Sequence, residues 1–340
     1  MRAATFGAAI VAAMTLAGCA DVPQRTPPAP EAAIATQEVG VLARDESFAI
    51  VVAAPGDDLG TLAQRFLGDR GRRWWISEFN GIDEVRPGQT VVIPLKAANP
   101  TGVYANGFQT IPILCYHRFG SRSSQLAVSP AAFEAQMDYL ARNGYHVIPL
   151  ARLTGFLERG EPIPRKSVVL TIDDGYRSTY EVAFPILRRY GFPATVFLYS
   201  DFVGVPDALT WQQMKEMEAS GLVNIQPHSK THANLTMRAA GETDARYRDR
   251  LRAEIDTPIR QIQDRLAVPS LAYAYPYGDV NETVVDMLKR QGVRMGVTVT
   301  SGGNGFFAYP FMLRRSMVFG GDSIDAFKSK LATFAQVSPR

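Results

Sequence analysis

"SVVLTIDDGYRSTY", residues 167–180, sets two carboxylates, Asp173 and Asp174, between an apolar run and a glycine. The run from Ser167 to Ile172 is β-branched and uninterrupted, the pattern of a strand buried on both faces of a parallel sheet. Gly175 breaks it, and Tyr180, Ala183, Phe184 and Leu187 recur at helical spacing, so a helix is expected over 177–190. The carboxylates then stand at a strand's C-terminal end, the edge where α/β folds bind their ligands. Adjacent carboxylates in a concave site repel, and the repulsion is relieved if one binds a cation while the other stays free as a base. A helix cap beside a turn residue is the plainer alternative, and metal partners elsewhere in the chain decide between them.

Outward from this strand, similar runs recur: "IPILCY", "YHVIPL", "ATVFLY", "GLVNIQP", "SLAYAYP", "GVRMGVTV" and "RRSMVF", with helical stretches between, one of them around Phe133–Arg142. About eight short strands separated by helices predict a single (β/α) barrel or a closely related open sheet over residues 110–340. The 340 residues leave room for a second, smaller unit. Net charge is +3 from 36 basic and 33 acidic residues with no long basic run, so nucleic acid is not an implied partner.

The metal partners are in "NIQPHSKTHANL". His228 and His232 lie four apart after another apolar run and are two of only four histidines. One helical turn apart, two imidazoles would point the same way and share a cation with a carboxylate from a different strand.

With these motifs in place, residues 110–320 resemble a polysaccharide deacetylase of the NodB-homology type, carbohydrate esterase family 4. "TIDDG" matches the family's Thr-Phe-Asp-Asp-Gly, "HSKTH" its His-Ser/Thr-x-x-His, and "YPYG" at 275–278 its Arg-x-Pro-Tyr. The resemblance implies an α/β fold, a distorted (β/α)7 barrel, and hydrolysis of N-acetyl groups from a GlcNAc-containing polymer. It also implies that Asp173 is the general base, that Asp174, His228 and His232 bind a divalent metal, usually zinc, and that the Tyr277 backbone N–H faces the oxyanion. Those roles agree with the chemistry, in which a metal polarises the acetamide carbonyl while a neighbouring carboxylate takes a proton from water.

Two departures stand out. Ala274 sits where the family commonly has the arginine that orients the base, and no histidine follows His232 to act as general acid. Arg314 or Arg315 in "LRRSMV" is a candidate for the first role, and His117 in "ILCYHRF", at the end of the first barrel strand, for the second. His146 is expected to face the interior, and Cys115, in an apolar run, to be a buried thiol. The combination is more like the subgroup that includes the poly-N-acetylglucosamine deacetylases. The rival is a catalytically inert wall-binding lipoprotein, motivated by the two missing residues and opposed by the intact Asp-Asp and His-x-x-x-His.

The N-terminus reads as an export signal, residues 1–19, whose "LAGC" looks like a bacterial lipobox with Cys19 as the lipidated residue. An ordinary cleavable signal is the alternative. Pro- and Ala-rich residues 20–46 are expected to be a flexible tether. Residues 47–95 read as strand, helix, helix, strand, with Asp57 or Asp58 capping the first helix. On "PGDDLGTLAQRF", "FNGI" and "VRPGQTVVIP" this βααβ segment resembles a LysM glycan-binding domain, departing from it in Asp58 and the extra "GDRGRRWW". The resemblance implies sugar contacts at Gly56, Asp57, Asp58 and Leu59 and at Gly81, Ile82 and Asp83. Residues 96–109 are expected to be a second linker. Together these features imply a lipid-anchored enzyme of the cell envelope acting on an N-acetylglucosamine-containing polysaccharide, with the module tipping the reading toward peptidoglycan over exopolysaccharide.

Overall fold

The computed structural model describes residues 40–120 and 125–337, so Cys19, the export signal and most of the tether lie outside the described residues. The N-terminal unit is built on three antiparallel strands in the order β1 (Val41–Arg44), β2 (Phe48–Val52) and β3 (Thr90–Pro94), with α1 (Leu59–Leu67) and α2 (Arg73–Asn80) between β2 and β3. Of the two candidate caps for α1, Asp58 takes the role: its carboxylate accepts from the Thr61 N–H at 2.6 Å while the Thr61 hydroxyl accepts from the Asp58 N–H at 2.7 Å. Ala49, Val51, Leu62, Ala63, Ile76, Val91 and Ile93 close the core between helices and sheet. β1 corrects the expected tether boundary at residue 46, because Val41–Arg44 finds a free edge on β2.

The larger unit carries its strands where the apolar runs stand: β4 (Ile111–Tyr116), β5 (His146–Val147), β6 (Ser167–Asp174), β7 (Ala194–Leu198), β8 (Val223–Pro227), β9 (Ala272–Ala274), β10 (Met295–Val297) and β11 (Ser316–Met317). β8, β7, β6, β4 and β11 form one parallel run, and β5 pairs with the start of β6. Residues alternate between two cores. Leu114, Tyr116, Val168, Leu170 and Ile172 pack on Phe133, Met137 and Leu140 of α3 (Pro130–Arg142) and on further outer helices. Ile113, Val169 and Phe197 face inward with Ala272, Met295, Val297 and Leu313. Burial on both faces is why these strands read as unbroken apolar runs.

The barrel does not close as one ladder among the described residues. β9 and β10 pair only with each other, joined to β11's side by a single Val297–Leu313 bridge. On the other flank the Gln226 side chain takes the place of a ladder, accepting from the Leu271 and Ala272 N–H groups at 2.8 and 2.9 Å. The helix after β6 opens as a π-turn, Thr179–Ala183, before Phe184–Tyr190 settles into α geometry at Pro185, which has no N–H to give. Residues 96–109 are more than a linker: Gly107–Gln109 pairs antiparallel with Phe334–Gln336, and buried Gln109 donates to the Pro164 carbonyl at 2.8 Å.

Candidate active site

The two carboxylates that open the sequence end β6, and ordinary pleating would send them to opposite faces of the sheet. Asp173 follows the alternation and faces inward. Asp174 breaks it with a left-handed backbone (φ 73°), and Gly175 continues the turn (φ 81°) with its Cα packed so close to Leu198 that a Cβ would come within 3.2 Å. Both carboxylates thereby face one histidine, His228 Nε2, at 3.9 Å from Asp173 and 3.7 Å from Asp174.

Asp173 is 1% exposed and held by Arg315, which is fully buried and donates through Nη1 and Nη2 to the two carboxylate oxygens at 2.7 Å each. Arg315 also donates to the Thr298 carbonyl at 2.9 Å and the Thr171 hydroxyl at 3.2 Å, so its fork is aimed by three partners. Burial alone would raise the Asp173 pKa, but the Arg315 guanidinium, together with His228 and His117, more than offsets it and keeps the carboxyl ionised well below the usual range. The Cys115 thiol, buried as expected, donates to the same carboxylate at 3.4 Å.

His228 follows β8 and donates from Nδ1 to the Ala274 carbonyl at 2.8 Å, which turns Nε2 toward the carboxylates. His232 Nε2 reaches Asp174 at 3.5 Å. The two histidines do not share a helix turn as expected; the segment is a loop with left-handed Ser229 (φ 76°) and His232 (φ 62°). Glu254 builds it from α4 (Asp244–Leu266), accepting from the Lys230 and Thr231 N–H groups at 3.0 and 2.9 Å and from the Thr231 hydroxyl at 2.7 Å. The Ser229 hydroxyl accepts from the His232 N–H at 2.8 Å. Glu254 is missing from the sequence reading, though it had a signal: it is a carboxylate on the buried face of α4 with Tyr247, Leu251 and Ile255.

Asp174, His228 and His232 bring one ligand atom each within 4.8 Å of one another. The donor set suits a divalent cation. Asp174 Oδ1 is buried with no hydrogen-bond partner, and burial pushes its pKa up to about 6. Burial also pushes His228 down to about 4 and lowers His232, so both imidazoles are neutral near pH 7 with lone pairs to offer. A buried acceptor with no donor, between two neutral imidazoles, is a cost that a cation removes.

The family model for polysaccharide deacetylase matches residues 160–296. The putative polysaccharide deacetylase YxkH of Bacillus subtilis is 31% identical over 217 residues, 64% of this chain and 74% of that protein. The chain belongs to the polysaccharide deacetylase family. The poly-β-1,6-N-acetyl-D-glucosamine N-deacetylase of Escherichia coli K12 is 28% identical over 252 residues, which span 63% of this chain and only 37% of that protein. Among solved structures, the Streptococcus pyogenes deacetylase PplD in complex with acetate aligns with a TM-score of 0.60 and 27% identity, over 66% of this chain and 98% of that one.

As a polysaccharide deacetylase the protein is a hydrolase. With Ala274 where the family pattern has an arginine, the arginine that reaches Asp173 is Arg315. Arg314 is not the substitute; it points away, toward the Ser301 carbonyl. His117 follows β4 at the rim with Nδ1 buried and unpartnered, in a group with Cys115 and Asp173. Tyr277 adopts a left-handed turn (φ 63°), and its exposed ring lies 4.9 Å from that of His232. His146 does not face the interior. β5 is only two residues long, and its first residue stands exposed at the lip of the sheet, on the side that faces the N-terminal unit. Among the described residues no helix is long and apolar enough to cross a membrane.

Proposed function

We propose that this protein is a metal-dependent N-deacetylase of an N-acetylglucosamine-containing polysaccharide in the cell envelope. The observation that carries the reading is the orphaned Asp174 oxygen between two neutral imidazoles, one residue from a carboxylate locked by Arg315. Asp174, His228 and His232 would hold a divalent cation, with zinc the first choice for two nitrogens and one oxygen. Such an ion polarises an acetamide carbonyl and makes water a better nucleophile. Asp173, ionised and aimed by Arg315, takes the proton from the attacking water. His117 delivers a proton to the departing amine, and the Tyr277 backbone N–H faces the developing oxyanion.

The relatives' names support a GlcNAc polymer as substrate, poly-β-1,6-N-acetyl-D-glucosamine among them. The N-terminal unit serves as a LysM-type module that contacts glycan through Gly56, Asp57, Asp58 and Leu59 and through Gly81, Ile82 and Asp83, and lipidated Cys19 holds the enzyme at the membrane. Acetate release from poly-β-1,6-N-acetylglucosamine and from peptidoglycan, measured side by side with the zinc-loaded protein, tests the reading. Release from neither polymer would overturn it.

A further inference from the structure

The N-terminal unit is docked on the deacetylase unit. Glu78 of α2 accepts from the Arg165 N–H at 2.6 Å and faces its guanidinium at 3.8 Å. Beside this contact, a cleft of about 1420 Å³ opens between the two units. Asp58, Leu59 and Asp83, from the two loops assigned above to sugar contact, line one wall. The other wall belongs to the deacetylase unit: Tyr145, Arg152 and Phe192. Tyr145 and Phe192 pack on the outer core along one side and stay half-exposed on the other, while Arg152 is exposed and donates to the Pro162 carbonyl at 3.4 Å.

Half-exposed aromatic faces interleaved with charged hydrogen-bonding groups are what a saccharide needs, since its C–H faces stack on rings and its hydroxyl and acetamide groups take the polar partners. The volume exceeds the roughly 300–1,000 Å³ of a small-molecule site, so an oligomer fits it better than a single sugar. We infer that the floor of the deacetylase unit is the second wall of a glycan-binding cleft that holds several units of a GlcNAc chain. The inference rests on the module's being a glycan binder, and adds to it a partner surface that a free module would lack.

Its location has a consequence. Pro164, just before β6, lines the cleft, whereas Asp174 ends the same strand at the metal group. Eight strand residues separate the two by about 25 Å. The segment gripped by the cleft is therefore not the segment being deacetylated, and the cleft anchors the enzyme to a second stretch or a neighbouring chain of the polymer.

Hydrogen exchange on the full chain tests this, using Asp173→Asn so that bound glycan is not consumed. β-1,4- and β-1,6-linked N-acetylglucosamine hexamers go in separate arms, and the arm that responds identifies the polymer. The expected result is slowed exchange in residues 81–85 together with 143–152. Slowing at 81–85 alone overturns the two-walled cleft and leaves the module's glycan binding standing. Slowing in neither segment overturns both. Arg152→Ala, at an exposed side chain, is expected to weaken hexamer binding roughly fivefold. Unchanged affinity in both Arg152→Ala and Tyr145→Ala, with melting curves showing both folded, would overturn the proposal.

Discussion

The two ends of the sheet handle charge in opposite ways. At the C-terminal end, Asp173, Asp174, His228 and Arg315 are buried, and four of the seven non-glycine residues with left-handed backbone among those described lie here: Asp174, Ser229, His232 and Tyr277. At the N-terminal end, Glu78 and Arg165 meet in a half-open ion pair and His146 and Arg152 stand in solvent. Burial makes each polar group at the first end costly unless partnered, and that cost turns geometry into chemistry: it raises Asp174, whose Oδ1 has no hydrogen-bond partner, and keeps the imidazoles neutral, while Asp173 stays low because Arg315 is buried beside it. At the second end solvent screens each pair, so contacts there set adhesion and orientation.

The sharpest way to break this contrast is to separate the two adjacent aspartates. Asp174→Ala is expected to abolish metal binding and activity together, whereas Asp173→Asn should keep the metal and lose turnover by roughly 10²–10⁴-fold. Metal content by atomic absorption beside acetate release checks both. An empty site in Asp173→Asn would show that the division of labour is wrong. His117→Gln keeps a donor of similar shape but cannot pass on a proton, so turnover is expected to fall by a similar roughly 10²–10⁴-fold with metal retained. Near-normal turnover would remove His117 from the acid role.

Arg315→Met leaves Asp173 buried without its cation, which should cost about 3–5 kcal/mol in urea unfolding. A loss below about 1 kcal/mol would mean that Asp173 is less enclosed than the ion pair indicates. Metal affinity supplies the next step down. The raised pKa of Asp174, about 6, means that the metal-free fold binds this proton more tightly than the unfolded chain does. Stability of the metal-free form is therefore lost as pH rises from about 4 through 6, as the buried carboxylate ionises, and metal binding offsets that loss. Calorimetry should show affinity falling about tenfold per pH unit below 6 and flattening above it, and the metal-induced rise in Tm should be larger at pH 7 than at pH 5. The smallest effect belongs to the other end of the sheet, where Glu78→Ala should cost less than about 1 kcal/mol. A loss near that of Arg315→Met would erase the contrast between the two ends.

Eight of the strands of the deacetylase unit, the βααβ order over residues 47–95 and the aspartate and histidine motifs were legible in the sequence. Each is a local pattern: apolar runs mark strands buried on both faces, 3.6-residue spacing marks helices, and Gly175 marks the turn. What remained was decided by contacts between distant residues. Arg315 and Asp173 are 142 positions apart, and only the packing of the strands around the inner core shows that Arg315, not Arg314, faces the carboxylate. Asp174 joins Asp173 on one side because its backbone leaves the strand region, which no periodicity announces. The loop that aims His228 and His232 is held by Glu254 from a helix farther along the chain, and His146 stands at the exposed start of a two-residue strand instead of in the interior. Residues 96–109 look like a linker until Phe334–Gln336 returns to pair with Gly107–Gln109. Residue type and spacing thus determined which chemistry the chain can carry, and tertiary packing decided which groups carry it, because burial and distance set the protonation state of each.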